Sequence, residues 1–256
     1  MPGAGLCQSL GVQFQHWQPA ELRGSPGERV PRQQFQLQWQ PDRNTRLLYR
    51  YEPIRLRAGE PAHNGHLHQF RAGIDGTWRD LQFSGVAGIH GSSNRFVYQR
   101  FHQDMLVVEG VVFHRLPEQW LPDLGVAADH RFGPFRIYPR LRWQGEWMDW
   151  DWRFDLPVEA SLTEESWQLE LARVGHRWSV LDRDRRLDSK VYRYEWQLSA
   201  DYRLRDPRQA GPGVTLGVGS SFATRLRYRD LAQGQKTRQL SSAVFVRLRI
   251  SGGSGS

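Results

Sequence analysis

The segment His90-Gly91-Ser92-Ser93-Asn94, followed by Asp104, carries the residue types of nucleophilic ester chemistry. Residues two apart on a strand share a face, so His90 and Ser92 point the same way. In such a set His90 is the base, Ser92 the nucleophile and Asp104 the group that orients the imidazole. A second set is electrostatic. Arg193, Arg203, Arg225, Arg227, Arg247 and Arg249 recur at alternate positions in the C-terminal third, and Arg153 does so earlier. Asp151, Asp155, Glu195 and Asp201 supply the opposite sign. These residues are expected to line a polar interior, either as a closed salt-bridge network or as an anion-preferring water path. Buried charges need partners, which favours the closed network. A third set, His63, His66 and His68, has a spacing that suits a divalent metal at a surface. No cysteine ligand is near it in sequence, and no metal and no cofactor are expected. There is no glycine-rich phosphate loop and no dinucleotide motif.

The elements that must position these residues are strands. Val191 to Leu204 alternates for fourteen positions. Tyr192, Tyr194, Trp196, Leu198, Ala200, Tyr202 and Leu204 take one face, and Arg193, Glu195, Gln197, Ser199, Asp201 and Arg203 the other. That is about twice a usual strand and matches a tilted crossing of a bilayer with interfacial extensions. The pattern recurs in Gln34–Gln40, Arg46–Arg57, Leu67–Thr77, Arg79–His90, Met105–His114, Leu124–Arg131, Phe135–Trp143, Trp150–Ala160, Trp167–Leu181, Val214–Tyr228 and Ser242–Ile250. No helix-period stretch competes with it. The spacing therefore predicts an all-β fold, a transmembrane antiparallel up-and-down β-barrel of about twelve strands. Connections at 182–189 and 230–237 are long and charged, as extracellular loops are; 162–166 and 206–213 read as turns at the other end. The N-terminal half fits this alternation badly. Either the count is off by one there, or a strand near Val12 to His16 joins the barrel.

Composition agrees. There are eleven tryptophans, many toward strand ends, where an amphipathic ring sits at headgroup level. Mean hydropathy is −0.66, and no run of eighteen apolar residues exists, which excludes transmembrane helices but not a barrel with a polar interior. Net charge is +8, and lysine occurs only at Lys190 and Lys236. The arginines are interleaved along strands rather than massed in a tail, so nucleic acid is not the expected partner. The single cysteine, Cys7, allows no internal disulfide. Residues 1–32, rich in Pro, Gly and Gln, are read as a flexible segment, 33–250 as the barrel, and 251–256 as an appended linker. No signal peptide is evident, as in a mature sequence given a new start.

On this pattern the chain resembles bacterial outer-membrane β-barrel proteins, including solitary autotransporter-like and porin-like barrels of Gram-negative bacteria. The resemblance covers 34–250 and includes the last strand, Ala243 to Ile250. Such barrels usually end on an aromatic; Ile250 departs from that. The resemblance implies a monomer in the bacterial outer membrane, acting as a small pore or structural barrel. Its partners would be membrane lipid or lipopolysaccharide and small anionic solutes. The spacing of His90, Ser92 and Asp104 is also similar to that of outer-membrane phospholipase A and the lipid A deacylases, which implies lipid hydrolysis as the alternative. Those enzymes need a serine that faces lipid. Leu81, Phe83 and Ile89 hold the odd-numbered face, so alternation turns His90 and Ser92 inward unless a bulge near Gly88 or Gly91 intervenes. The reading preferred from sequence is not an enzyme.

Overall fold

The computed structural model describes residues 9–25, 27–53, 66–117, 121–181, 188–205, 212–230 and 234–253. The strands are β1 Ser9–Glu21, β2 Arg29–Gln40, β3 Thr45–Glu52, β4 Leu67–Trp78, β5 Leu81–Ser92, β6 Leu106–His114 and β7 Asp123–Asp129. They continue as β8 Arg136–Trp147, β9 Trp150–Leu156, β10 Glu159–Thr163, β11 Trp167–Leu181, β12 Asp188–Arg205, β13 Gly213–Asp230, β14 Gly234–Gln239 and β15 Ala243–Gly253. One short helix, α1 Ser93–Val97, stands between β5 and β6. No helix among the described residues is long and apolar enough to cross a membrane.

Each strand from β1 to β13 pairs antiparallel with the next. The ring closes because β15 pairs with both β13 and β1. β14 and β15 share one place in it: β14 lies along the far end of β13 and β15 along the near end. The ring thus has fourteen places, β1 to β13 plus that shared one. Two exceed the twelve expected: β1, which meets the alternative of a strand near Val12 to His16, and the second strand within 150–163. β1 occupies part of the segment expected to be flexible, which corrects the 1–32 boundary; the up-and-down alternation of the N-terminal half is restored by the other, the second strand within 150–163. The alternation of β1 itself, Leu10, Val12 and Phe14 against Gly11, Gln13 and Gln15, is plain once paired. The stretch 150–163 is two strands, because Pro157 has no N–H for a ladder and the Val158 N–H donates back to the Asp155 carbonyl at 2.9 Å. β15 also runs beyond Ile250, with Gly253 opposite Ser9, so 251–253 belong to the barrel.

The outer wall is apolar. Leu198, Tyr202, Leu204, Leu216, Val218, Val246, Leu248, Ile250, Phe14, Phe70, Val108, Val126 and Leu141 are all exposed on it. Buried positions inside include Arg32, Glu52, Glu109, Asp155, Glu195 and Asp201. A soluble barrel has the reverse arrangement. On β13 the outward apolar run goes from Val214 to Phe222, about the span needed to cross hydrocarbon. The chain is a transmembrane β-barrel.

Its two ends differ. The start of β1, Ser9, and the end of β15, Gly253, lie at one end, where the strands form the full ring. At the other end the wall narrows. β11 runs on from Ala172, its last partner in β10, to Leu181, and Ser179 bridges Gly91 of β5 in parallel. The β7–β8 turn fills the space beside β11. Gly175 permits this: a Cβ there would meet the Arg131 carbonyl oxygen at 2.2 Å. Inside this narrow end sits the apolar core, with Trp17, Leu67, Trp178, Val191, Leu226, Tyr228, Leu240 and Phe245 all buried together.

Candidate functional site

The lumen is the site that the fold builds. From the narrow end downward, the apolar core comes first, with Trp17 and Phe245 rings 5.7 Å apart. Beneath it, charges meet across the barrel. Arg32 on β2 donates two hydrogen bonds to Glu195 on β12, at 2.8 and 2.7 Å. Arg193 pairs with Glu52 on β3. Thr224 and Gln197 also donate to Glu195, at 3.0 and 2.8 Å. The Arg32 guanidinium lies 4.3 Å from the Trp17 ring centre. One level further, Arg50 on β3 donates to His176 on β11 at 2.7 Å. Bidentate pairing of an arginine with a carboxylate offsets part of the desolvation of both. Together with the apolar core, these pairs lie across the interior of the narrow half.

Lower down, two clusters line the wall. Asp201 accepts from Arg247 at 3.1 and 2.5 Å and lies 3.6 Å from Arg249. This pairing passes over β13 at Gly217, where a Cβ would fall 1.8 Å from an Asp201 carboxylate oxygen. Asp155 gathers Arg140 at 2.8 Å, Arg142 at 3.3 Å and Arg153 at 3.6 Å. Below Asp155 a cavity of about 1030 Å³ lies at the wide end. Its lining has carboxylates at Asp80, Asp123, Glu146, Asp151 and Glu159, and guanidiniums at Arg115, Arg142 and Arg153. The vestibule therefore carries both signs.

The interior positions expected from sequence are Arg193, Glu195, Asp201, Arg247, Arg249, Asp155, Asp151, Arg153, Arg203, Arg225 and Arg227. The structure places the first six within the lumen network and Asp151 and Arg153 on the vestibule. Arg203 lines a smaller cavity of about 190 Å³ at the wide mouth. Arg225 and Arg227 do not face the lumen. The β12–β13 register shifts between Tyr194 and Trp196, with Ala223 at φ 52°, and this bulge reverses the facing of β13 beyond it. Thr224, Leu226 and Tyr228 turn inward and are buried, while Arg225 and Arg227 stand outward opposite Tyr194 and Tyr192. Sequence reasoning missed Arg32, Glu52 and Arg140. Arg32 lay in the segment taken as flexible, and no local spacing marks a partner on the far wall.

The structure does not assemble His90, Ser92 and Asp104. His90 is buried inside, its Nδ1 3.0 Å from the Arg177 carbonyl. The Ser92 Oγ accepts from the Leu181 N–H at 3.2 Å. Asp104 turns instead to Lys190 at 2.7 Å and His102 at 3.2 Å. Burial would raise the Asp104 carboxyl, but Lys190, then His102 and Arg177, hold it below its ordinary range. The histidine–serine contact that does form is His68 Nε2 with Ser93 Oγ at 2.8 Å, beside Tyr49, whose hydroxyl is 3.0 Å from Nδ1. No carboxylate among the described residues takes the third place, and the contact ties α1 to the end of β4. His66 stacks on Tyr51. His63 lies outside the described residues, and among those described no cluster of metal ligands forms.

No family model and no curated protein matches the chain. Solved structures similar to it include an outer membrane channel from Pseudomonas putida F1, with 9% identity, a TM-score of 0.41, and 97% of this chain and 95% of that one covered. Pseudomonas aeruginosa OccK2 gives 11% identity and a TM-score of 0.34 over 97% of both chains. The Acinetobacter baumannii outer membrane protein Omp33 gives 11% and 0.34, over 97% of this chain and 99% of that one.

Proposed function

We propose that the chain is a bacterial outer-membrane barrel that is sealed at its extracellular half and holds a polar vestibule open to the periplasm. The orientation follows from connection length. The longest connections, 53–66 and 93–105, lie at the narrow end, and the two-residue turns 79–80 and 148–149 lie at the end of Ser9 and Gly253. The observation that carries the reading is the pair of cross-lumen contacts, Arg32 with Glu195 and Arg193 with Glu52, capped by the buried aromatics. A water path through the barrel would have to pass between these oppositely charged pairs and the aromatics packed above them. The vestibule lining suits small solutes that carry both charges, or an anion seated on Arg142 and Arg153, better than it suits a purely anion-selective conduit.

Planar-bilayer recording of the refolded protein tests this. No steady conductance is expected from protein whose folding is verified by faster migration on an unboiled gel. A steady open channel in such a preparation would overturn the sealed reading and restore the open pore. Lipid hydrolysis is expected to be absent, and Ser92→Ala should change nothing. Phospholipase or deacylase activity abolished by Ser92→Ala would reinstate the enzyme reading despite the present geometry.

A further inference from the structure

The outward face of β13 has a sharp profile. Val214, Leu216, Val218 and Phe222 give it an apolar run, interrupted only at Ser220; beyond the bulge at Ala223, Arg225, Arg227 and Arg229 take successive outward positions. Tyr194 and Tyr192 stand beside the first two on β12, and Lys190 beside the third. Lys190 is occupied by Asp104 at 2.7 Å. Among the described residues, no carboxylate lies within ion-pair distance of Arg225, Arg227 or Arg229. The Arg227 Nε is buried and has no hydrogen-bond partner. These arginines thus do not line the lumen, and among the described residues they belong to no salt bridge. They sit immediately above the hydrocarbon-facing wall, where headgroup phosphates lie.

We propose that Arg225, Arg227 and Arg229 form a binding site for the phosphates of a lipid A-type glycolipid in the outer leaflet, with its acyl chains against Phe222, Trp196 and Leu198. The argument is charge complementarity together with continuity with the apolar wall. Three guanidiniums on one strand edge offer forked donors that match phosphate oxygens, in a layer where each basic side chain adds to anionic-lipid attraction. Tyr194, half-buried beside Arg225, supplies an amphipathic ring at the border such a headgroup meets. The proposal rests on the membrane-embedded reading above, and its test separates the two.

The full-length protein is refolded into phosphatidylcholine vesicles containing either diphosphoryl lipid A or its dephosphorylated form. Vesicle flotation and gel mobility report insertion; lipid retained after detergent extraction and repurification reports binding. Parent protein is expected to retain diphosphoryl lipid A in a salt-sensitive manner. Combined Arg225→Gln, Arg227→Gln and Arg229→Gln substitution is expected to lower that retention roughly tenfold or more. Should the triple variant fail to insert, the single exposed change Arg225→Gln carries the test, with a smaller loss expected. Equal retention by parent and inserted variant, or equal retention of the dephosphorylated lipid, overturns the site. Failure of the parent to insert overturns the membrane reading instead.

Discussion

At the scale of single residues, the interior is held by charges that cannot lose a partner cheaply. Glu195 accepts from Arg32, Thr224 and Gln197 while fully buried. Glu195→Gln leaves Arg32 and Arg193 short of a carboxylate in a site without solvent, and breaking such a pair costs about 3–5 kcal/mol. A lower urea midpoint for the loss of tryptophan fluorescence, with the folded gel mobility retained in buffer, is the expected result; an unchanged midpoint would contradict the tight network. Gly217 is needed for a different reason. Its missing side chain is the space in which Asp201 reaches Arg247. Gly217→Ala therefore forces the pair apart, and overpacking of this kind costs about 1–3 kcal/mol. Temperature-dependent gel mobility reads it, with a lower transition expected. Of these residues, Glu195, Asp201 and Arg247 are legible in sequence, since each sits on the polar side of a long alternation. Arg32, the partner of Glu195, and Glu52, the partner of Arg193, are not, because each contact spans the barrel and strand periodicity says nothing about which inward positions share a height.

At the scale of elements, alternation gives the face of a strand only while its pleat is unbroken. β12 alternates from Tyr192 to Leu204 as its sequence does. β13 reads correctly as far as Phe222, and the extra residue near Ala223 then inverts it, so Leu226 and Tyr228, taken as outward, are core. A second cause compounds this. At the narrow end the interior itself is apolar, with Trp17 and Trp178 inside, so a hydrophobic residue no longer marks the lipid side. The 3-10 turn Gln103–Met105 shows an element held by electrostatics. The Asp104 carboxyl is depressed by Lys190, His102 and Arg177 against the opposing effect of burial. A carboxyl with a depressed folded value stabilises fully above its unfolded value of about 3.9 and loses that contribution as pH falls through the folded one. Amide exchange at Gln103–Leu106 is therefore expected to be slow at neutral pH and to accelerate, relative to the intrinsic rate, only in acid below the ordinary carboxylate range. Lys190→Gln should move that acceleration to higher pH. Protection unchanged through acid would show that packing of Met105, not the ion pair, holds the turn.

At the scale of the whole molecule, one fold carries two interiors. Strands of full length around β12, β13 and β1 make a tall wall, and the short β9 and β10 leave room for β11 to lean across to β5. The result is a barrel wide at the end of Ser9 and Gly253 and packed at the opposite end. That asymmetry makes a directional prediction about access. Ser161 lines the vestibule, whereas Ser179 is buried beside the β5–β11 bridge. In a Cys7→Ser background, Ser161→Cys should react with a membrane-impermeant maleimide only when the reagent reaches the face that carries Ser9 and Gly253. Ser179→Cys should resist it from both faces of intact proteoliposomes and react after unfolding. Labelling of Ser179→Cys from the narrow face in folded protein would mean that the core opens. The cross-lumen pairs would then be a gate, and the vestibule one end of a passage through the membrane.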